Sequence, residues 1–234
     1  LHSTSRRQRQ MCIRDRGILN MREKIADKKE RILKIIEIFG KVYSDADCTL
    51  EYDNPLQLLI STQLAAQCTD KRVNIVTKDL YKKYRDVYDF ANADELELRE
   101  DIKSTGFFRN KAKNIIGCCK MLISDYNGEV PREMEDLLKL PGVGRKTANL
   151  VRGDYFGIPG IVVDTHATRL SNRLGLTTNK DPKKIEMDLL KLVPEEYQTS
   201  FCHQLVYHGR EYCPAARPKC DICPISELCP KVGV

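Results

Sequence analysis

Four of the ten cysteines in this 234-residue chain fall in one run, Cys213-x6-Cys220-x2-Cys223-x5-Cys229. A Cys-x2-Cys pair lets two thiolates converge on one centre from a tight turn, and the flanking pair completes four-sulfur coordination. Nothing in the sequence points to an oxidising compartment, so a metal accounts for the run better than a disulfide framework does. Zinc fits a four-thiolate site. Pro214, Pro224 and Pro230 each directly follow a cysteine, as in iron–sulfur binding runs. Cys12, Cys48, Cys68, Cys118, Cys119 and Cys202 have no such spacing, and Cys68 and Cys119 lie near apolar stripes and read as core thiols. Arg217 and Lys219 sit between the first two candidate ligands. A loop pinned there by metal offers two cations to a phosphate backbone.

A second segment, Leu137-Leu-Lys-Leu-Pro-Gly-Val-Gly-Arg-Lys-Thr-Ala-Asn149, reads helix, tight turn, helix. Gly142 and Gly144 allow backbone conformations and a close approach denied to other residues. The second helix begins at about Arg145, and its first N–H groups can hold a phosphate oxygen. An ordinary turn between packed helices explains Pro-Gly, but not Gly-x-Gly followed by two cations. The segment fits a sequence-independent clamp on nucleic acid, a helix-hairpin-helix.

The elements that must position these groups are helical. Asp27 to Glu30 has the form of a capping box before Ile32, Leu33, Ile36 and Phe39, with Gly40 as the stop. Asn54-Pro55 is a cap followed by a first-turn proline, ahead of Leu56, Leu59, Ile60 and Leu64. Asp70 can cap a helix burying Val73, Val76 and Leu80, and Asn110 precedes one with Ile115, Ile116, Cys119 and Leu122. Asp181-Pro182 repeats the cap-and-proline signal before Ile185, Leu189, Leu192 and Val193. Only Ile161-Val162-Val163 has strand character, so the expected fold is all-α. Any domain boundary must be compact and close to Gly157–Gly160.

With 41% hydrophobic residues the chain can bury one sizeable core or two small ones. No apolar run approaches the ~20 residues of a membrane span, and no secretory signal is recognisable. A soluble, intracellular protein is expected. The net charge is +6, of which residues 1–20 supply +4 through five arginines against Asp15. That stretch has no periodicity and resembles translated vector sequence, which places the natural start at Met21. The alternative is a basic disordered arm. Two acid-free stretches, Ile102–Ser124 with Lys103, Arg109, Lys111, Lys113 and Lys120, and Leu137–Gly153 with Lys139, Arg145, Lys146 and Arg152, fit a DNA footprint.

Taken together, Leu140-Pro-Gly-Val-Gly-Arg-Lys146-Thr-Ala-Asn149, then Val163-Asp164-Thr165-His166, then the cysteine run resemble the endonuclease III family from about Met21 to the end. The resemblance implies a base-excision DNA glycosylase with AP lyase activity, acting on duplex DNA with oxidised or ring-saturated pyrimidines or abasic sites. It implies a [4Fe-4S] cluster on Cys213, Cys220, Cys223 and Cys229. Lys146 matches the family's catalytic lysine and Asp164 its catalytic aspartate. An amine can attack C1′ of the damaged nucleotide, displace the base and form a Schiff base that promotes β-elimination. The neutral amine is required, and partial burial beside the helix's cations would favour it. Asp164 can stabilise an oxocarbenium-like sugar or act as the N-cap of its own helix.

The resemblance also carries Gln67 to the residue that fills the gap left by the extruded nucleotide, and Phe107 to an apolar wedge that is often leucine. Phe107 equally suits a core position. His166 suits a phosphate contact or a structural histidine. The implied fold has two helical domains with a DNA groove between them. One is a six-helix barrel over 48–158 with the helix-hairpin-helix at about 135–154; the other, over 21–47 and 159–234, carries the cluster. A monomer working in the cytoplasm, nucleoid-associated and prokaryote-like, is the matching expectation. The rival readings are a monofunctional mismatch glycosylase, which generally lacks lysine at the position of Lys146, and a non-catalytic helix-hairpin-helix DNA-binding module.

Overall fold

The computed structural model describes residues 23–234. The basic stretch 1–20 and the expected start at Met21 lie outside them. Among the described residues there is no strand: in chain order the helices are α1 (Ile25–Val42), α2 (Pro55–Leu64), α3 (Asp70–Lys83), α4 (Val87–Ala91), α5 (Glu95–Asp101), α6 (Phe108–Tyr126), α7 (Met134–Leu137), α8 (Arg145–Asp154), α9 (Thr165–Arg173), α10 (Pro182–Leu190) and α11 (Gln198–Glu211). The run 161–163 is irregular, and the Ile161 carbonyl accepts from the Asn149 side-chain amide at 2.9 Å instead of from a neighbouring strand. No helix of the described residues is long and apolar enough to cross a membrane.

Local chemistry explains most helix starts. Asn54 accepts the Gln57 N–H at 3.0 Å with Pro55 in the first turn, and Asp181 does the same for Lys184 at 2.9 Å ahead of Pro182. Three starts differ from expectation. α1 begins two residues before Asp27, so no capping box forms; Asp27 lies in the first turn, where its charge faces the helix's positive end, and Glu30 pairs with Lys34. α1 also continues through Gly40 to Val42, and Leu33 points outward while Ile35 points inward. Thr69, not Asp70, caps α3, because the Asp70 carboxylate is taken by the Thr49 hydroxyl. α6 starts at Phe108, which leaves Asn110 inside its first turn.

The chain divides into two compact units, Asp47–Val162 and a discontinuous one that joins residues 23–46 to Val163–Val234. In the first, Leu58, Leu59, Ile60, Leu64, Leu98, Ile102 and Ile115 are fully buried in one apolar cluster. Each such side chain contributes roughly 1.5–3 kcal/mol by leaving water. That burial, not intrinsic propensity, holds helices as short as α4 and α7. In the second unit Ile32, Ile35, Ile36 and Phe39 of α1 face the core, and the Phe39 ring lies 6.2 Å from Phe201 and 4.9 Å from the His208 ring. Arg31 ties this unit together by donating to Glu23 and to the carbonyls of Leu174 and Leu228.

Candidate functional site

The hairpin between α7 and α8 is built on one glycine. The Val143 N–H bonds the Leu140 carbonyl at 3.1 Å, and Gly142 within that turn has φ +76°. A β-carbon at 142 would stand 2.6 Å from Gln63 Oε1 and 2.9 Å from the Asn114 β-carbon, so the crest of the turn is seated on α2 and α6. Gly144 needs no special backbone conformation. Its backbone is ordinary (φ −100°, ψ 175°) and a β-carbon there would meet nothing, so the fold itself does not require glycine at 144. α8 follows at once, its first-turn N–H groups projecting from the positive end of the helix. Ala148, Asn149 and Val151 face inward, Arg145 is half-buried, and Lys146 is exposed. The partial burial expected of Lys146 is not found.

Two loops of the same unit carry Gln67 and Phe107. Gln67 lies three residues past the end of α2, exposed, with φ +54°. Phe107 is 63% exposed with φ +48°, immediately before α6, so it is not a core residue. Each holds a left-handed backbone that costs a residue with a β-carbon about 1–2 kcal/mol, and such conformations persist only where the surroundings fix them. A pocket of about 200 Å³ opens beside them, lined by Gln67, Phe107, Asn110, Lys111, Asn114 and Gly142 among others. Lys111 corrects the reading of its stretch as a row of surface cations. It is 5% exposed, and its Nζ donates to the carbonyls of Leu64 at 2.8 Å and Thr105 at 2.9 Å. Lys103, Arg109, Lys113 and Lys120 do face outward, Lys103 paired with Glu100.

In the other unit, Asp164 caps α9: its Oδ1 accepts the Ala167 N–H at 2.7 Å. His166 Nδ1 lies 3.1 Å from Arg169 Nη2; a guanidinium only donates, so Nδ1 is the acceptor. Arg169 goes on to the carbonyls of Gly209 and Cys213. Arg173, the last residue of α9, donates to Cys213 Sγ at 3.2 Å and to the carbonyls of Pro214 at 2.7 Å and Ala215 at 2.8 Å. One short helix thus begins at Asp164 and ends on the cysteine loop. Neither arginine was marked by motif or spacing.

Cys213, Cys220, Cys223 and Cys229 line one pocket, and none is in a disulfide. Burial raises the thiol pKa of Cys223 and Cys229, so a cationic centre is needed to hold them as thiolates. A pocket lined by four free thiols suits a metal centre held by four sulfurs. His208, 2% exposed, places Nε2 3.5 Å from Cys223 Sγ and Nδ1 3.1 Å from the Tyr43 hydroxyl. Arg217, with φ +56°, and Lys219 are exposed on the loop between Cys213 and Cys220.

Comparison with known proteins matches residues 60–195 to the HhH-GPD superfamily of base excision DNA repair proteins. The chain is similar to the endonuclease III of Synechocystis sp., 51% identical over 88% of this chain and 95% of that protein. It is also similar to that of Bacillus subtilis, 47% identical over 83% and 89%. Among solved structures, a non-covalent endonuclease III–DNA complex superposes with a TM-score of 0.82 at 46% identity, covering 86% of this chain and 94% of that one. A thermostable thymine-DNA glycosylase superposes at 0.78 with 26% identity, covering 87% and 96%.

Proposed function

We infer function from family: this chain belongs to the HhH-GPD superfamily of base excision DNA repair proteins and, within it, to the endonuclease III family. It is a DNA glycosylase with AP lyase activity. The observation that carries this reading is the segment Leu140–Asn149, which sets a lysine in the first turn of a helix that opens from a glycine hairpin. A trapped endonuclease III–DNA covalent intermediate, 46% identical to this chain with a TM-score of 0.82, supports covalent chemistry with DNA.

On this reading the hairpin grips the duplex by its phosphates. The N–H groups at the start of α8 meet an oxygen at the helix's positive end, and bare Gly144 lets the backbone come close. Lys146 Nζ, exposed on that turn, attacks C1′ as the neutral amine. Its lone pair forms the C1′–N bond while the glycosidic bond breaks, and the base leaves with that bonding pair and takes up a proton. The sugar ring opens to a protonated Schiff base, which acidifies the C2′ hydrogen. Loss of that proton expels the 3′ phosphate by β-elimination and cuts the strand. Asp164 stabilises positive charge developing on the sugar, and the N–H it already accepts from Ala167 keeps its carboxylate oriented. Gln67 and Phe107 enter the space left by the displaced nucleotide, the amide offering a donor and an acceptor to the unpaired base. His166, Arg217 and Lys219 meet the phosphate backbone.

On this reading the four cysteines that line one pocket hold a [4Fe-4S] cluster. When bound, the cluster supplies a rigid cross-link among the four thiolates, and Arg173 and His208 provide N–H groups toward two of the sulfurs. We assign it to holding the basic loop of Arg217 and Lys219 in place. Oxidised or ring-saturated pyrimidines are the lesions this reading names, and the protein works on them as a monomer on cytoplasmic, nucleoid DNA; its bacterial relatives support that setting.

A duplex with a single thymine glycol tests the reading if free base and strand scission are measured separately. Both are expected, the cut leaving an unsaturated aldehyde at the 3′ end. Base release from an intact strand would point to a monofunctional glycosylase. Binding with no release would leave only a DNA-binding module.

A further inference from the structure

Lys111 is a buried cation that the chemistry above does not use. Removing an ammonium from water is costly unless its donors are satisfied, and this one spends two of its three N–H donors on main-chain carbonyls from different parts of the chain. Burial lowers its pKa from the usual lysine value. Leu64 is the last residue of α2, three residues before Gln67, and Thr105 stands two residues before Phe107. The Lys111 backbone N–H also bonds the Phe107 carbonyl at 3.1 Å. The residue thus fastens the Phe107 loop at two points and the Gln67 loop at one. Both loops have the strained, left-handed backbone that needs outside support.

We propose that Lys111 is the positioning residue of the DNA-inserting apparatus, one buried ammonium that fixes the Gln67 and Phe107 loops relative to each other so that both enter the duplex together. This rests on the reading in which those two side chains replace the displaced nucleotide. A common anchor means that the ordering cost of two loops is met in the free protein, and not each time DNA binds. It also makes the contributions of the two loops to lesion binding interdependent through Lys111.

The test is the affinity of the cluster-loaded protein for a duplex with a tetrahydrofuran abasic analogue relative to the same duplex undamaged. Lys111→Met keeps the stem and removes the donors. It is expected to lower that lesion-to-undamaged ratio about tenfold, the size of a lost charge-assisted hydrogen bond. Amide exchange over 65–68 and 105–108 is expected to speed up in both loops at once. A fold-supporting lysine alone would lower thermal stability and leave the ratio where it was, and that result overturns the proposal. Gln67→Ala and Phe107→Ala run in parallel and separate two failures. If neither lowers the ratio, the insertion reading itself is wrong; if both do and Lys111→Met does not, only the role of Lys111 falls. Should Lys111→Met not fold, Lys111→Arg decides, since it keeps the charge but misplaces the donors. A lowered ratio with coupled loop exchange supports the anchor, and an unchanged ratio excludes it.

Discussion

The hairpin at 138–144 and the paired loops at Gln67 and Phe107 solve the same backbone problem by different means. Both need left-handed conformations. The hairpin uses glycine at 142, where φ +76° carries no steric cost and the missing side chain makes room for Gln63 and Asn114. The loops use a glutamine and a phenylalanine at φ +54° and +48°, residues with β-carbons that resist this region. A phosphate clamp works through its backbone, so its side chains can be dispensed with. On the proposed reading the loops fill a gap in stacked DNA through their side chains, so the strain is carried, and the bonds of Lys111 to the carbonyls of Leu64 and Thr105 are placed to hold it.

Breaking the hairpin should have the largest effect. Gly142→Ala adds a β-carbon in a disfavoured conformation and against Gln63 and Asn114. It is expected to destabilise the Asp47–Val162 unit by about 2–4 kcal/mol, read as a lowered thermal midpoint together with loss of duplex binding. The loops should respond in the opposite sense. Gln67→Gly relieves the left-handed strain and is expected to stabilise the protein by about 0.5–1 kcal/mol while weakening binding to an abasic-site duplex. A Gln67→Gly protein that binds as tightly as the wild type would mean the side chain has no role at the DNA. The smallest effect on the fold belongs to Gly144→Ala, where the added β-carbon meets open space. Stability is expected to stay within about 0.5 kcal/mol, with weaker binding to any duplex, damaged or not, because the methyl group occupies the space a phosphate needs. Calorimetry with a salt titration of binding separates the two readouts.

What could be read in the sequence follows the same division. The all-helical fold, the hairpin over Leu137–Asn149 and the four-cysteine run each rest on residues close together in the chain, where spacing dictates geometry. Asn54 and Asp181 were legible as caps because a cap bond spans three residues. Asp70 was misread because its partner, Thr49, is 21 residues away and left the capping to Thr69. Lys111 was misread as a surface cation for the same reason: its partners are the carbonyls of Leu64 and Thr105, and no pattern within α6 announces them. Arg169 and Arg173, which join α9 to the cysteine loop, bond main-chain groups 40 residues and more along the chain. Of the two roles open to Gly144, a special backbone conformation is not used, since its φ is ordinary, while the open space at its β-carbon suits a close approach.

On the proposed mechanism everything turns on Lys146 forming a Schiff base with damaged DNA. The direct measurement is borohydride trapping on a duplex with one thymine glycol, with the wild type and Lys146→Gln side by side. A covalent protein–DNA adduct is expected from the wild type and none from Lys146→Gln, with both proteins folded and equally loaded with cluster. Trapping by both would move the nucleophile to another amine, and trapping by neither, on this duplex and on one with a natural abasic site, would contradict the lyase chemistry altogether.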